Sequence, residues 1–182
     1  MLWFIMGILL TGCVVYALSH FGFMLRFKHR LYKMGLKRTS RVLDFIVRIL
    51  YACDIPASAQ IGKNCILTHH GLGVVIHPRA KIGNNCKIFQ HVTIGSRYGA
   101  DPPEIGDRVY IGEKSSVLGR IKIGNNVKIG AHSLVLTDLP DNCVAVGIPA
   151  KIVKLNGKTI DKEIGEAVWQ LLRDGELGEV RE

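Results

Sequence analysis

The run KIGNNCKIFQHVTIGS, Lys81 to Ser96, decides the fold. Ile82, Ile88 and Ile94 stand six residues apart, Gly83 and Gly95 follow two of them, and Cys86 and Val92 sit four residues after Ile82 and Ile88. An α-helix repeats near 3.6 residues and a half-buried strand at 2, so a six-residue period belongs to neither. Short strands separated by tight turns do generate it. The Asn84–Asn85 pair falls where a corner demands left-handed backbone angles, which Asn tolerates. Working outward, aliphatic openers recur at Ile55, Ile61 and Leu67, at Ile76, and then from Ile105 through Ile111, Val117, Ile123 and Ile129 to Val135.

Three such units, about 18 residues, close one turn of a triangular parallel β-helix whose coils stack ~4.8 Å apart. The expected fold is therefore all-β over residues 54–153, with inward aliphatic ladders along the axis. Counting units in threes places Leu67, Ile88, Ile111 and Ile129 on one face. Three residues after each comes His70, His91, Lys114 and His132, which predicts a polar column running up one corner. Two breaks interrupt the period, and breaks in a rigid scaffold tend to carry function. Leu67 and Ile76 are nine residues apart and enclose Thr68-His69-His70-Gly71-Leu72-Gly73; Ile94 and Ile105 are eleven apart and enclose a projecting loop with Arg97 and Asp101.

Composition bounds the rest. Of 182 residues, 48% are hydrophobic and 21% charged, which excludes a disordered chain. The net charge is +9, yet residues 1–53 hold eight basic side chains against the single acid Asp44. The remainder is close to neutral, so a nucleic-acid partner is not expected. Met1 to Leu25 carries no Lys, Arg, Asp or Glu and, as a helix, would reach roughly 37 Å, enough to cross a bilayer core. Residues 1–25 are thus expected to be an apolar, membrane-anchoring helix with the rest on the cytoplasmic side, or else a packing helix of a cytoplasmic protein. Residues 26–53 read as a basic helical segment with Val42, Leu43, Phe45, Ile46, Ile49 and Leu50 in search of a surface. Residues 154–182 read as a closing C-terminal helix and tail. Five cysteines show no zinc spacing, and Cys65 and Cys86 take small packing positions.

The stretches CDIPASAQIGKNCILTHHGLGVVIHPRAKIGNNCKIFQHVTIGS, Cys53 to Ser96, and PEIGDRVYIG to GIPAKIV, Pro103 to Val153, resemble the hexapeptide-repeat acyltransferases. Within them the likeness is to serine O-acetyltransferases and to their relatives that acetylate surface polysaccharides. The resemblance implies a left-handed coil, a homotrimer and acetyl-CoA as co-substrate, without a metal. The run His70-Gly71-Leu72-Gly73-Val74-Val75 matches the family's catalytic His-x-x-Gly-aliphatic-aliphatic motif, implying His70 as base. Asp54-Ile55 matches the family's orienting acid. Aligning from Asp54 instead puts the base at His69, and both stay open here. His91 in the next coil joins the same corner. By position, Gly112, Gly130, Ala131 and Lys151 are the residues expected to meet CoA.

The chain also departs from the serine enzymes. His69 replaces the Asp that precedes the catalytic His. Asp101-Pro102-Pro103 stands where an Arg-His-Pro run would hold a serine carboxylate, leaving Arg97 as the loop's cation. These departures favour a sugar or surface-polysaccharide hydroxyl as acceptor, with L-serine as the alternative. A non-catalytic scaffold is the second alternative. A zinc-dependent β-helix enzyme would need a His-x4-His pair, which His69, His70, His77 and His91 do not form. A neutral imidazole suits the implied chemistry, because its pKa lies near working pH and it can take the proton of an attacking hydroxyl.

Overall fold

A computed structural model of the chain describes residues 21–99 and 101–160. Two helices, α1 (Phe21–Lys33) and α2 (Lys37–Tyr51), precede fifteen short strands. Twelve of these, from β1 (Gln60–Ile61) to β12 (Leu134–Val135), form three parallel sheets, which are the three walls of a prism. One wall is β1, β4 (Lys81–Ile82), β7 (Glu104–Ile105) and β10 (Lys122–Ile123). The second is β3 (Val75–Ile76), β6 (Thr93–Gly95), β9 (Ser116–Leu118) and β12. The third begins with β2 (Ile66–Leu67), β5 (Lys87–Ile88), β8 (Tyr110–Ile111) and β11 (Lys128–Ile129), and continues into β13 (Cys143–Gly147). The repeat fits the left-handed form of this β-helix.

Register follows sequence period. Ile111 pairs with Ile129, the expected 18 residues on. Leu67 pairs with Ile88 and Ile88 with Ile111, because the two sequence breaks add residues to those coils. In half of the twelve coil strands an outward Lys, Glu or Tyr precedes an inward aliphatic residue. Ile88, Ile94, Ile111 and Ile129 are wholly buried, each contributing about 1.5–3 kcal/mol of transfer free energy.

The Asn pairs divide their labour. Asn85 and Asn126 occupy the left-handed region at φ 57°, as the corner requires. Their predecessors stitch coils together: Asn84 Oδ1 accepts the Lys63 N–H at 2.9 Å and Asn125 Oδ1 accepts the Asp107 N–H at 2.8 Å. Asp107 and Asp141 extend that ladder by accepting from Asn84 and Asn125. Glycine recurs there because coils approach closely; a Cβ on Gly106 would stand 2.8 Å from the Gly124 carbonyl oxygen.

The described elements run across two of the expected boundaries, and the apolar residues of α2 divide between two faces. Residues 21–25 belong to α1 together with the basic residues 26–33, so no break separates an apolar segment from a basic one at Leu25. Strand structure does not stop at Val153: β14 (Ala150–Leu155) adds antiparallel to β13, and β15 (Lys158–Thr159) adds antiparallel to β14. Of the six apolar residues between Val42 and Leu50, Leu43 and Ile46 pack on the core, while Val42, Phe45, Ile49 and Leu50 stay exposed. The expected helix after Ile160 and the segment before Phe21 lie outside the described residues. Among the described residues no helix is long and apolar enough to cross a membrane.

Candidate functional site

The break after β2 folds into a 3₁₀ turn, Thr68–Gly71. His69 and His70 both take left-handed angles, φ 50° and 54°, and Gly71 and Gly73 follow at φ 68° and 66°. Three consecutive left-handed residues, and a fourth after Leu72, carry the two imidazoles to the surface. The turn is pinned by Leu72 N–H to His69 O at 3.1 Å, Val74 N–H to Gly71 O at 2.9 Å and Gly73 N–H to Ala52 O at 2.8 Å. The two exposed histidines have different surroundings. The His70 ring meets Phe21 edge-on at 6.1 Å and Tyr51 at 6.0 Å, one aromatic from each helix. It also lines a cavity of about 790 Å³ between α1 and the first coil, whose wall includes Phe21, Leu25, Ile55, Ile61 and Leu67. His69 is absent from that wall.

His91 joins this corner from the next coil. Its N–H donates to Leu72 O at 2.8 Å, and its ring lies against Gly73, where any Cβ would collide with Nδ1. His70, His91, Lys114 and His132 all have φ between 54° and 58°. His91, Lys114 and His132 stack on one corner, each N–H donating to the coil before, but the residue beneath His91 is Gly73, so the three-residue insertion displaces His70 from the column expected from counting in threes.

Asp54 is a correction. Its backbone sits beside the turn, exchanging hydrogen bonds with Val74 O and Ile76 N at 2.8 Å. Its carboxylate, however, pairs with Arg48 of α2 at 2.7 Å, and no hydrogen bond joins it to His70. The carboxylate in turn holds the Arg48 guanidinium above its ordinary pKa, through their hydrogen bond and charge attraction. Asp101 is likewise occupied, by Arg79 of the preceding coil at 2.6 Å. Arg97 lies over the Tyr98 ring at 5.0 Å, and Tyr98 is nearly fully exposed.

The residues expected to meet CoA lie further along the same wall. Gly112 and Gly130 follow Ile111 and Ile129, and a Cβ on Gly112 would stand 2.6 Å from the Ala131 nitrogen. Gly112 N–H and Gly130 N–H are spent on Ile129 O and Ala145 O at 2.9 Å. Ala131 is exposed, and Lys151 pairs in register with Val146 at the end of the wall. Among the described residues no group of three or more His, Cys, Asp or Glu is arranged to hold a metal.

Two features escaped the sequence reading. Lys28 is 2% exposed and bonds to Asp44 at 2.9 Å and to Ile55 O, while Asp44 also accepts the Ala57 N–H at 3.0 Å. This pair fastens the helical hairpin to the first coil, and the signal for it was Asp44, the single acid among eight bases. Cys65, expected to be inert, is half-buried on the cavity wall. The Cys86 thiol donating toward it pulls its pKa down to about 7, whereas burial pushes Cys53 up to about 11 and Cys143 up to about 12.

Comparison with known proteins fits this architecture. Residues 102–137 match the family described as bacterial transferase hexapeptide (six repeats). That stretch is a transferase hexapeptide repeat, and the coils before it continue the same period. A serine acetyltransferase of Synechococcus elongatus is 39% identical over 139 residues, 75% of this chain and 57% of that protein. The crystal structure of Neisseria gonorrhoeae serine acetyltransferase in complex with serine superposes with a TM-score of 0.69 at 39% identity, covering 74% of this chain and 56% of that one. A serine acetyltransferase in complex with CoA gives a TM-score of 0.68 at 32% identity, covering 74% and 57%. The chain thus spans a little over half the length of these relatives.

Proposed function

We propose that this chain is an acetyl-CoA-dependent O-acetyltransferase, with L-serine as acceptor and His70 as general base. The observation that carries the reading is the placement of His70 on an irregular corner, open to solvent on one side and to a large cavity on the other. The relatives named above are serine acetyltransferases, which favours serine over the saccharide acceptor expected from the His-His-Gly turn. The pairing of Asp101 with Arg79 supports the same choice, since the acid that would repel a serine carboxylate is already neutralised.

In the proposed step the His70 imidazole takes the proton of the serine hydroxyl as that oxygen attacks the thioester carbonyl. The tetrahedral species then collapses, the carbon–sulfur bond breaks, and the CoA sulfur leaves with the proton returned from the imidazolium. No acyl-enzyme is required. Asp54 acts indirectly: through Arg48 it holds α2, and hence Tyr51, against the His70 turn. His91 supports the turn from below. The corner of Gly112, Gly130 and Ala131 would carry the pantetheine arm, with Lys151 toward the phosphates. The working unit is read as a cytoplasmic homotrimer, with residues 54–153 as its catalytic part.

The test is release of free CoA from acetyl-CoA with L-serine and, separately, with a panel of sugars. L-serine is expected to drive turnover, and His70→Ala to lower it by about 10²–10⁴-fold. Turnover with sugars alone would replace the acceptor. Unchanged turnover in His70→Ala would remove the base.

A further inference from the structure

The outer surface of the helical hairpin is unaccounted for by any of this. Val42, Phe45 and Ile49 stand at i, i+3 and i+7 of α2, one stripe directed away from the packed face of Ser40, Leu43 and Val47. They are 59%, 61% and 65% exposed, and Leu50 adjoins them at 52%. Exposed Arg41 flanks this stripe, and exposed Arg38 continues its line one turn before Val42. On α1, Phe23 and Phe27 stack at 5.8 Å, both exposed, and exposed Arg26 and Arg30 follow them. The turn between the helices adds exposed Met34 and Leu36.

An apolar stripe edged by cations on an otherwise folded helix is the composition of a segment that lies in a membrane interface. Charge selects the partner. The only acid of the hairpin, Asp44, is consumed by Lys28, so the exposed ionic groups there are cationic. A second copy of the hairpin would bring like charge against like charge. A nucleic acid would match the arginines but leave the aliphatic stripe without a counterpart. An anionic phospholipid surface satisfies both, with headgroup phosphates for the arginines and acyl chains for the stripe. The sequence adds an independent pointer: the twenty residues leading into Phe21 contain no Lys, Arg, Asp or Glu.

We propose that the α1–α2 hairpin docks on an anionic phospholipid surface, burying Val42, Phe45 and Ile49 at the headgroup–acyl boundary with Arg38 and Arg41 on the phosphates. The proposal does not depend on the acetyl acceptor.

The test uses the full chain and sedimentation with vesicles of phosphatidylcholine alone or mixed with phosphatidylglycerol. Binding is expected to favour the mixed vesicles and to weaken with added salt. Phe45→Glu/Ile49→Glu is expected to reduce binding by at least about tenfold. Arg38→Gln/Arg41→Gln is expected to reduce it on the mixed vesicles and not on phosphatidylcholine. Because all four side chains are exposed, both variants should melt at the wild-type temperature. Wild-type binding by the Glu variant would overturn the proposal, since residues 1–20 would then suffice. A lowered melting temperature or a changed sedimentation mass in that variant would overturn it too, because the stripe would be a protein contact. Indifference to phosphatidylglycerol would do the same.

Discussion

His70 owes its position to its backbone. A φ of 54° is uncommon for a residue with a Cβ, though His is among the side chains that visit this region more often. His70→Asn is therefore the instructive variant. It keeps a residue that tolerates the corner, removes the imidazole, and should lower CoA release as far as His70→Ala while melting no earlier. His69→Asn should retain most activity, because His69 touches neither the aromatic pair nor the cavity wall. Steady-state rates and thermal melts of the three variants separate the histidines. Cys65 offers a second residue-level check. A thiol lowered to about 7 from an ordinary 9.0 carries far more thiolate at neutral pH than its neighbours, and only the thiolate attacks an alkylating reagent. Iodoacetamide should label Cys65 before the other described cysteines, with a rate rising through about pH 7. Cys86→Val removes the donating thiol and should shift that rise upward. First labelling at Cys53 or Cys143 would contradict the assignment.

The hairpin shows what one ion pair does for an element. Lys28 is buried, so its charge is tolerable only with Asp44 and the Ile55 carbonyl beside it. Asp44→Ala leaves that ammonium unpaired and frees the Ala57 N–H, so a loss of about 3–5 kcal/mol is expected by denaturant unfolding. The double variant Lys28→Met/Asp44→Leu should recover most of it, because two apolar side chains of similar volume need no partner. Elements of this kind mark the limit of sequence reading. The coil period, the inward residues and the corner of His91, Lys114 and His132 are legible because they follow from spacing along one dimension; that the insertion sets Gly73 rather than His70 beneath His91 is not, because spacing does not say where the extra residues bulge. The partner of Asp54 is not legible either: four basic residues of α1 and four of α2 compete for the carboxylates of Asp44 and Asp54, and spacing says nothing of where Arg48 projects. The outward stripe of α2 is illegible for the same reason, since a run apolar on two sides does not declare which side meets the prism. The last strands were hidden because Lys154 and Lys158 lack the aliphatic period that marks the coils.

At the scale of the whole molecule the prism is a one-dimensional stack with two different ends. Strands β13–β15 extend one wall at one end, and the hairpin rests on the other, beside His70. The proposed site therefore stretches from His70, on the insertion of the first coil, past the corner of His91 and Lys114 to the fourth coil at Gly130, about three coil steps or ~14 Å. Most of that length is open to solvent: His70, His91, Lys114, Ala131 and His132 are all exposed. A thioester held on an open ridge would remain wet, and a general base works best where water is excluded. A neighbouring copy laid along the ridge would convert it into a crevice, which is the physical ground for expecting a trimer. Sedimentation equilibrium should then give a species of three times the 20.1 kDa chain mass. L-serine-dependent CoA release per chain should fall at dilutions where that species dissociates. Full activity in a species of single-chain mass would place the entire site on one copy, and the corner would need another source of shelter from water.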